Sequence, residues 1–217
     1  MKNKFINYAL GLTILSTSTQ AATIAWGTAT AVDTSAAGGQ QVSTTGTVIE
    51  AFNAGNGATG TTIVNGVTFT NTDNDLLGNS SSNGVWAAGG ADSSYNTLLS
   101  TLEFGGGGNF FTINVGGGSL TINDQYEIQV WFVDDRSGTD ARVMSFSDSD
   151  ENNSVDLNDQ FVIGTFTADG TSQALGFDAQ SFGNAHINAY QVRAVPEPSS
   201  TALLGLGGLA LILRRRK

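Results

Sequence analysis

Tyr126-Glu127-Ile128-Gln129-Val130-Trp131-Phe132-Val133 alternates with a period of two. Successive side chains of an extended strand point to opposite faces. Tyr126, Ile128, Val130 and Phe132 therefore share one face, which is expected to meet the core, while Glu127, Gln129 and Trp131 face the other way. Asp134-Asp135-Arg136-Ser137-Gly138 then turns the chain, and Arg142 to Phe146 returns. A strand, a polar turn and a returning strand set the expectation of antiparallel sheet for the rest of the chain.

Working outward, short bursts of Val, Ile, Thr and Phe recur between Gly and Asn/Asp clusters. Thr23 to Trp26 opens the sheet, and Gln41-Val42 to Phe52 carries the next strand. Thr61 to Val64 and Val67 to Thr70 flank Asn65-Gly66, the strongest hairpin signal in the sequence. Asn71 to Ala91 reads as loop, and Ser94 to Leu102 as a brief helical turn. Phe110 to Val115, Leu120 to Ile122, Phe161 to Phe166, Ala174 to Phe177 and Ile187 to Val192 complete the strands. No long amphipathic helix lies between Ala22 and Val195. Roughly eight to ten strands at this spacing predict an all-β chain forming a single antiparallel β-sandwich of jelly-roll type.

The two ends have a different character. Met1-Lys2-Asn3-Lys4 is basic, Phe5 to Leu15 mainly apolar, and Ser16 to Ala21 small and polar, the layout of a secretory signal peptide cut by signal peptidase after Ala21. At the other end Val195-Pro196-Glu197-Pro198-Ser199-Ser200 precedes an uncharged run, Thr201 to Leu213, and then Arg214-Arg215-Arg216-Lys217. As a helix that run is only about 20 Å long against a hydrocarbon core of about 30 Å, so it spans as a short transmembrane helix only with thinning and snorkelling of the cations. The basic cluster holds its own side cytoplasmic and leaves the preceding residues outside. Pro196 and Pro198 are the only two prolines of the chain, and they keep this stretch extended and accessible.

The order Pro196-Glu197-Pro198, Gly/Leu-rich span and terminal arginine cluster resembles the PEP-CTERM sorting signal of bacterial exported proteins. The resemblance implies processing by an exosortase, loss of the tail, and delivery from an inner-membrane intermediate to the cell surface or extracellular matrix. It implies a route and no activity. The expected organisation is a signal peptide over 1–21, a passenger domain over 22–194 and the sorting signal over 195–217. Phrases such as Val64-Asn65-Gly66-Val67-Thr68-Phe69 and Gly164-Thr165-Phe166-Thr167-Ala168-Asp169-Gly170 are similar to those of one group of PEP-CTERM passengers, and strand 126–132 is similar to strands of lectin-like, carbohydrate-binding sandwiches.

Between Ala22 and Val195, three arginines and no lysine stand against eighteen acidic residues, a formal charge of −15. Such a surface repels nucleic acid and anionic lipid. The absence of cysteine excludes disulfides, thiolate nucleophiles and thiolate metal sites. His186 is the only histidine, with no nucleophile elbow to serve, and reads as structural. One imidazole and no thiol do not make a zinc site. The glycine runs at 105–108 and 116–118 lack the Lys-Ser/Thr of a phosphate loop. Asp134-Asp135, or Asp148 with Asp150, are the carboxylate pairs available for glycoside hydrolysis. Trp26, Trp86 and Trp131 are the aromatic residues available as a sugar platform. The expected function is non-catalytic: an exported structural or adhesive sandwich at the cell surface or in the exopolysaccharide matrix. The alternatives are a carbohydrate-binding module and, behind it, a glycan-active hydrolase.

One metal site is expected. Asp148, Asp150, Asn152, Asp156 and Asp159 occupy positions 1, 3, 5, 9 and 12 of a twelve-residue stretch, with the carbonyl of Ser154 at position 7, the spacing of a calcium loop. Asn153 stands where such loops carry glycine, and Asp159 where they carry the longer Glu. Five carboxylates within twelve residues repel one another, and a hard divalent cation relieves this.

Overall fold

A computed structural model describes residues 22–33, 35, 37–55, 61–71, 76–82, 93–105, 110–134, 142–148, 153–180 and 183–196. The strand read from alternation, β9 (Gln125–Phe132), lies in the middle of the largest sheet. It pairs antiparallel with β12 (Gln160–Thr167) on one side and β15 (Ala189–Ala194) on the other. Beyond β12 lie two short strands, β1 (Ala25–Trp26) and β2 (Thr30–Ala31). Beyond β15 come β3 (Thr47–Asn53), then β5 (Val67–Asn71) parallel to it, then β4 (Thr61–Val64) at the edge. The β4–β5 hairpin turns on Asn65 and Gly66, both at positive φ (49° and 75°), as a tight two-residue turn requires.

A second sheet runs β11 (Ser154–Leu157), β10 (Met144–Ser147), β13 (Gln173–Ala179), β8 (Phe110–Val115). A third joins β14 (His186–Ile187), β7 (Thr101–Gly105) and β6 (Gly78–Ser82). The antiparallel pairs are nested: β10 with β11 lies inside β9 with β12, inside β8 with β13, inside β7 with β14, inside β3 with β15. The polypeptide is thus a long two-stranded ribbon, wound so that successive pairs fall in different sheets.

The main core lies between the first two sheets. Tyr126, Ile128, Val130 and Phe132 of β9 enter it as expected, with Val162, Phe166 and Val192 beside them and Ile113, Phe146, Leu157, Leu175 and Phe177 from the facing sheet. The opposite face of β9 is buried too. Trp131 is fully enclosed with Phe69, Phe161, Tyr95, Leu98 and Leu99, the last three supplied by helix α1 (Ser93–Leu99). Sequence periodicity marks the more apolar face and cannot show that a helix covers the other.

The polar neighbours of Trp131 on that face have their own cover, a strap at residues 41–46 laid across the strands. Gln129 accepts from Ser43 N–H at 2.9 Å and donates to the Gln41 carbonyl at 2.8 Å. Gln191 donates to the Ser43 carbonyl, and Arg193 donates to the carbonyls of Thr45 and Gly46. Buried side chains thus satisfy a backbone segment that has no strand partner there. Burial holds the Arg193 guanidinium below its ordinary pKa, against the opposing pull of Glu127.

Several local expectations need correction. The strand expected from Gln41 begins only at Thr47, because the preceding residues form a 3₁₀ turn (Gly38–Gln41) and the strap. Leu120 to Ile122 is not a strand: three consecutive glycines at positive φ, Gly116 to Gly118, curl the chain, and Leu120 is held by its N–H on the Thr171 carbonyl. Part of the expected loop 71–91 is β6, and the helix stops at Leu99 to give β7. The final strand is broken at Asn188. Its side chain accepts from Val133 N–H at 2.8 Å and donates to the carbonyls of Leu99 and Thr101 at 3.0 and 2.9 Å.

Candidate functional site

The four residues Met144-Ser145-Phe146-Ser147 alternate as strictly as β9 does, and so do Ser154-Val155-Asp156-Leu157 and Leu175-Gly176-Phe177-Asp178. Their apolar members fill the core. Register then aligns the polar members across the outer face of the second sheet. Asp156, Ser145, Asp178 and Phe110 form one row, and Ser154, Ser147, Gly176 and Thr112 the next. Phe110, Ser145, Ser147, Ser154, Asp156, Asp178 and Gln180 line a cleft of about 300 Å³ there.

Gly176 seats the Phe110 ring. A Cβ at this position would stand 2.8 Å from Ser147 Oγ and 2.9 Å from the Phe110 ring, so the ring lies over the glycine and walls the cleft. Ser147 and Ser145 are 3% and 8% exposed and line the cleft, and among the described residues no hydrogen bond is made by their hydroxyls. Asp178 Oδ2 accepts from Gln180 Nε2 at 3.1 Å, while Oδ1 is buried without a partner. Neighbouring strands stand about 4.8 Å apart, so Asp156 and Asp178 flank Ser145 with about 10 Å between their backbones. The cleft therefore offers hydroxyls and carboxylates beside one aromatic ring.

Of the calcium stretch, residues 148 and 153–159 are described. Ser154 and Asp156 stand on β11 with exposed side chains, and Asp148 is 4% exposed at the end of β10, accepting from Asn153 Nδ2 at 3.5 Å. Asp159, at a positive φ of 50°, accepts from Asp134 N–H at 3.0 Å. Asp150 and Asn152 lie outside the described residues. A strand advances about 3.3 Å per residue, so Ser154 and Asp156 are spread along a sheet and do not curl around one point. Asn153, the expected turn residue, instead holds the N-terminal segment by donating to the Ile24 carbonyl. Among the described residues no three His, Cys, Asp or Glu side chains gather as metal ligands.

Of the three tryptophans expected as a sugar platform, the two that are described stand apart. Trp131 is fully buried and donates from Nε1 to the Tyr95 hydroxyl at 3.0 Å. Trp26 packs on the other side of the sheet, over Gly164, and donates to the Asn153 carbonyl. Trp86 lies outside the described residues. Asp134 lines no open surface: its carboxylate is 1% exposed, 3.0 Å from Arg142 and 3.8 Å from His186 Nε2. His186 in turn packs against Phe132, the rings tilted by 35° with centroids 4.6 Å apart. These groups tie β14 to the end of β9, the structural role read for the histidine; Asp135 and Arg136 lie outside the described residues.

The cleft was missed in the sequence because much of its lining is serine, a type too common to draw notice. The available signal was three alternating tetrads whose polar phase contains two aspartates.

Of the sorting segment, Pro196 is described and Glu197, Pro198 and 201–213 are not, nor is the signal segment 1–21 with Ala21. No helix of the described residues is long and apolar enough to cross a membrane. β15 pairs on both sides as far as Ala194, and Val195 N–H still bonds the Gln125 carbonyl at 3.0 Å. The tail thus leaves from the centre of the sheet, one residue before Pro196. No curated protein and no solved structure matches the chain. Residues 194–217 match the family model of the PEP-CTERM protein-sorting motif, which indicates an exported protein sorted to the cell surface by way of the membrane and processed by exosortase.

Proposed function

We propose that this protein is a non-catalytic structural or adhesive module of the cell surface or extracellular matrix. Its folded part is read as a jelly-roll sandwich bounded by a cleaved signal peptide, 1–21, and the sorting tail. The nested ribbon supports the jelly-roll reading: β3, β15, β9 and β12 adjoin in one sheet and β8, β13, β10 and β11 in the other, as in a ribbon folded between two sheets, with the fifth pair, β7 and β14, set in the third. Signal peptidase and exosortase are the processing partners in this reading.

The observation that carries the non-catalytic reading is the use made of the buried ionisable groups. Asp134 and Arg142 pair with each other, Glu103 accepts from the backbone N–H groups of Leu76 and Leu77, and Arg193 clamps the strap. Each is committed to holding segments together. The test is to follow surface display and cell or matrix adhesion in a strain lacking the protein, complemented by the full chain or by one ending at Val195. Adhesion should fall without the protein and return only with the full chain. Normal adhesion of the deletion strain, or rescue by the truncated chain, would refute the reading.

A further inference from the structure

We propose that the cleft on the outer face of the second sheet binds a neutral sugar unit of a glycan. The inference deepens the adhesive reading and rests on it for its biological setting. Two independent observations point to a ligand. One is the paired carboxylates of Asp156 and Asp178, which flank Ser145 across three strands. The other is the pair of serines, Ser145 and Ser147, each more than nine-tenths buried, lining the cleft and with hydroxyls that make no hydrogen bond among the described residues.

The donor and acceptor inventory selects the ligand class. An ionised carboxylate only accepts, and a serine hydroxyl both donates and accepts. A lysine or arginine side chain would satisfy the aspartates but, carrying donors alone, would leave the serine protons unmet. A sugar hydroxyl does both: it donates to a carboxylate and accepts from a serine. The Phe110 ring, seated over Gly176, adds an apolar wall suited to the C–H face of a pyranose. The two carboxylates, on a domain of formal charge −15, exclude uronates and other anionic sugars. Among the described residues no third His, Cys, Asp or Glu side chain joins the two carboxylates to make a metal site.

The test uses the surface form purified from cells, with calorimetric titration of gluco-, galacto- and manno-oligosaccharides and with polygalacturonate as the anionic control. At least one neutral series should bind, and polygalacturonate should not. Asp178→Asn should weaken binding by about tenfold or more, the effect of removing a charged acceptor. Asp156→Asn, at an exposed site, should weaken it with an unchanged melting temperature, which keeps the test decisive if Asp178→Asn unfolds. Chelator should have no effect. Failure of every neutral series to bind, binding that survives both substitutions, or binding that needs calcium would each overturn the proposal. Cells that still adhere through a protein with no sugar affinity would refute the cleft alone and leave the adhesive reading standing. Loss of the adhesive role with sugar binding intact would do the reverse.

Discussion

Asn188→Ala tests how the sheets are joined. Asn188 is fully buried between β14 and β15, and its side chain serves three backbone groups from three different segments: Val133 N–H and the carbonyls of Leu99 and Thr101. Alanine leaves all three buried without that partner. A typical hydrogen bond contributes about 1 kcal/mol net, and a buried group left unsatisfied costs about 1–3 kcal/mol. Partial relaxation and overlap between these terms bring the expected loss to about 3–5 kcal/mol. For a domain of this size each kcal/mol shifts Tm by about 2–4 °C, so the melt should fall by about 10 °C or more. Denaturant unfolding of the purified surface form gives the free energy, with Asn114→Ala on the exposed face of β8 as a control expected within about 0.5 kcal/mol of the parent. A loss below about 1 kcal/mol for Asn188→Ala would show that the side chain does not bridge these segments, and the account of the broken final strand would fail.

Burial raises the Tyr95 and Tyr190 phenols well above their ordinary value of 10.0, with the Glu50 carboxylate adding to the effect at Tyr190. A raised folded value means that their contribution is fully present below about pH 10 and is lost as pH climbs from there toward the folded values. Stability should fall with pH in that window, and less steeply in Tyr190→Phe; a flat profile would contradict it. At the β4–β5 turn a Cβ on Gly66 meets nothing within 4 Å, so Gly66→Ala isolates the backbone cost of φ 75°. It should destabilise by about 1 kcal/mol in denaturant unfolding, and a neutral result would argue against that turn. Intact mass of the main surface species should lack both 1–21 and the residues beyond the Pro-Glu-Pro stretch; retention of Arg214 to Lys217 would mark the tail as a plain anchor.

Much of this protein follows from local patterns in its sequence. The sorting tail is legible because its recognition depends on an extended peptide, an apolar run and a charge cluster, all properties of contiguous residues. The β9 strand and the Asn65-Gly66 hairpin are legible for the same reason: alternation and positive φ are set by neighbours along the chain. Tertiary structure decided the rest. Whether Trp131 faces solvent or helix α1 depends on a segment more than thirty residues away in sequence. Where Ser154 and Asp156 stand depends on β11 finding β10, whose backbone pairs them in a ladder. The cleft exists only because register aligns residues from four strands. Register comes from the packing of Met144, Phe146, Leu157, Leu175 and Phe177 into one core, since a slip of one residue would turn those apolar side chains out to water.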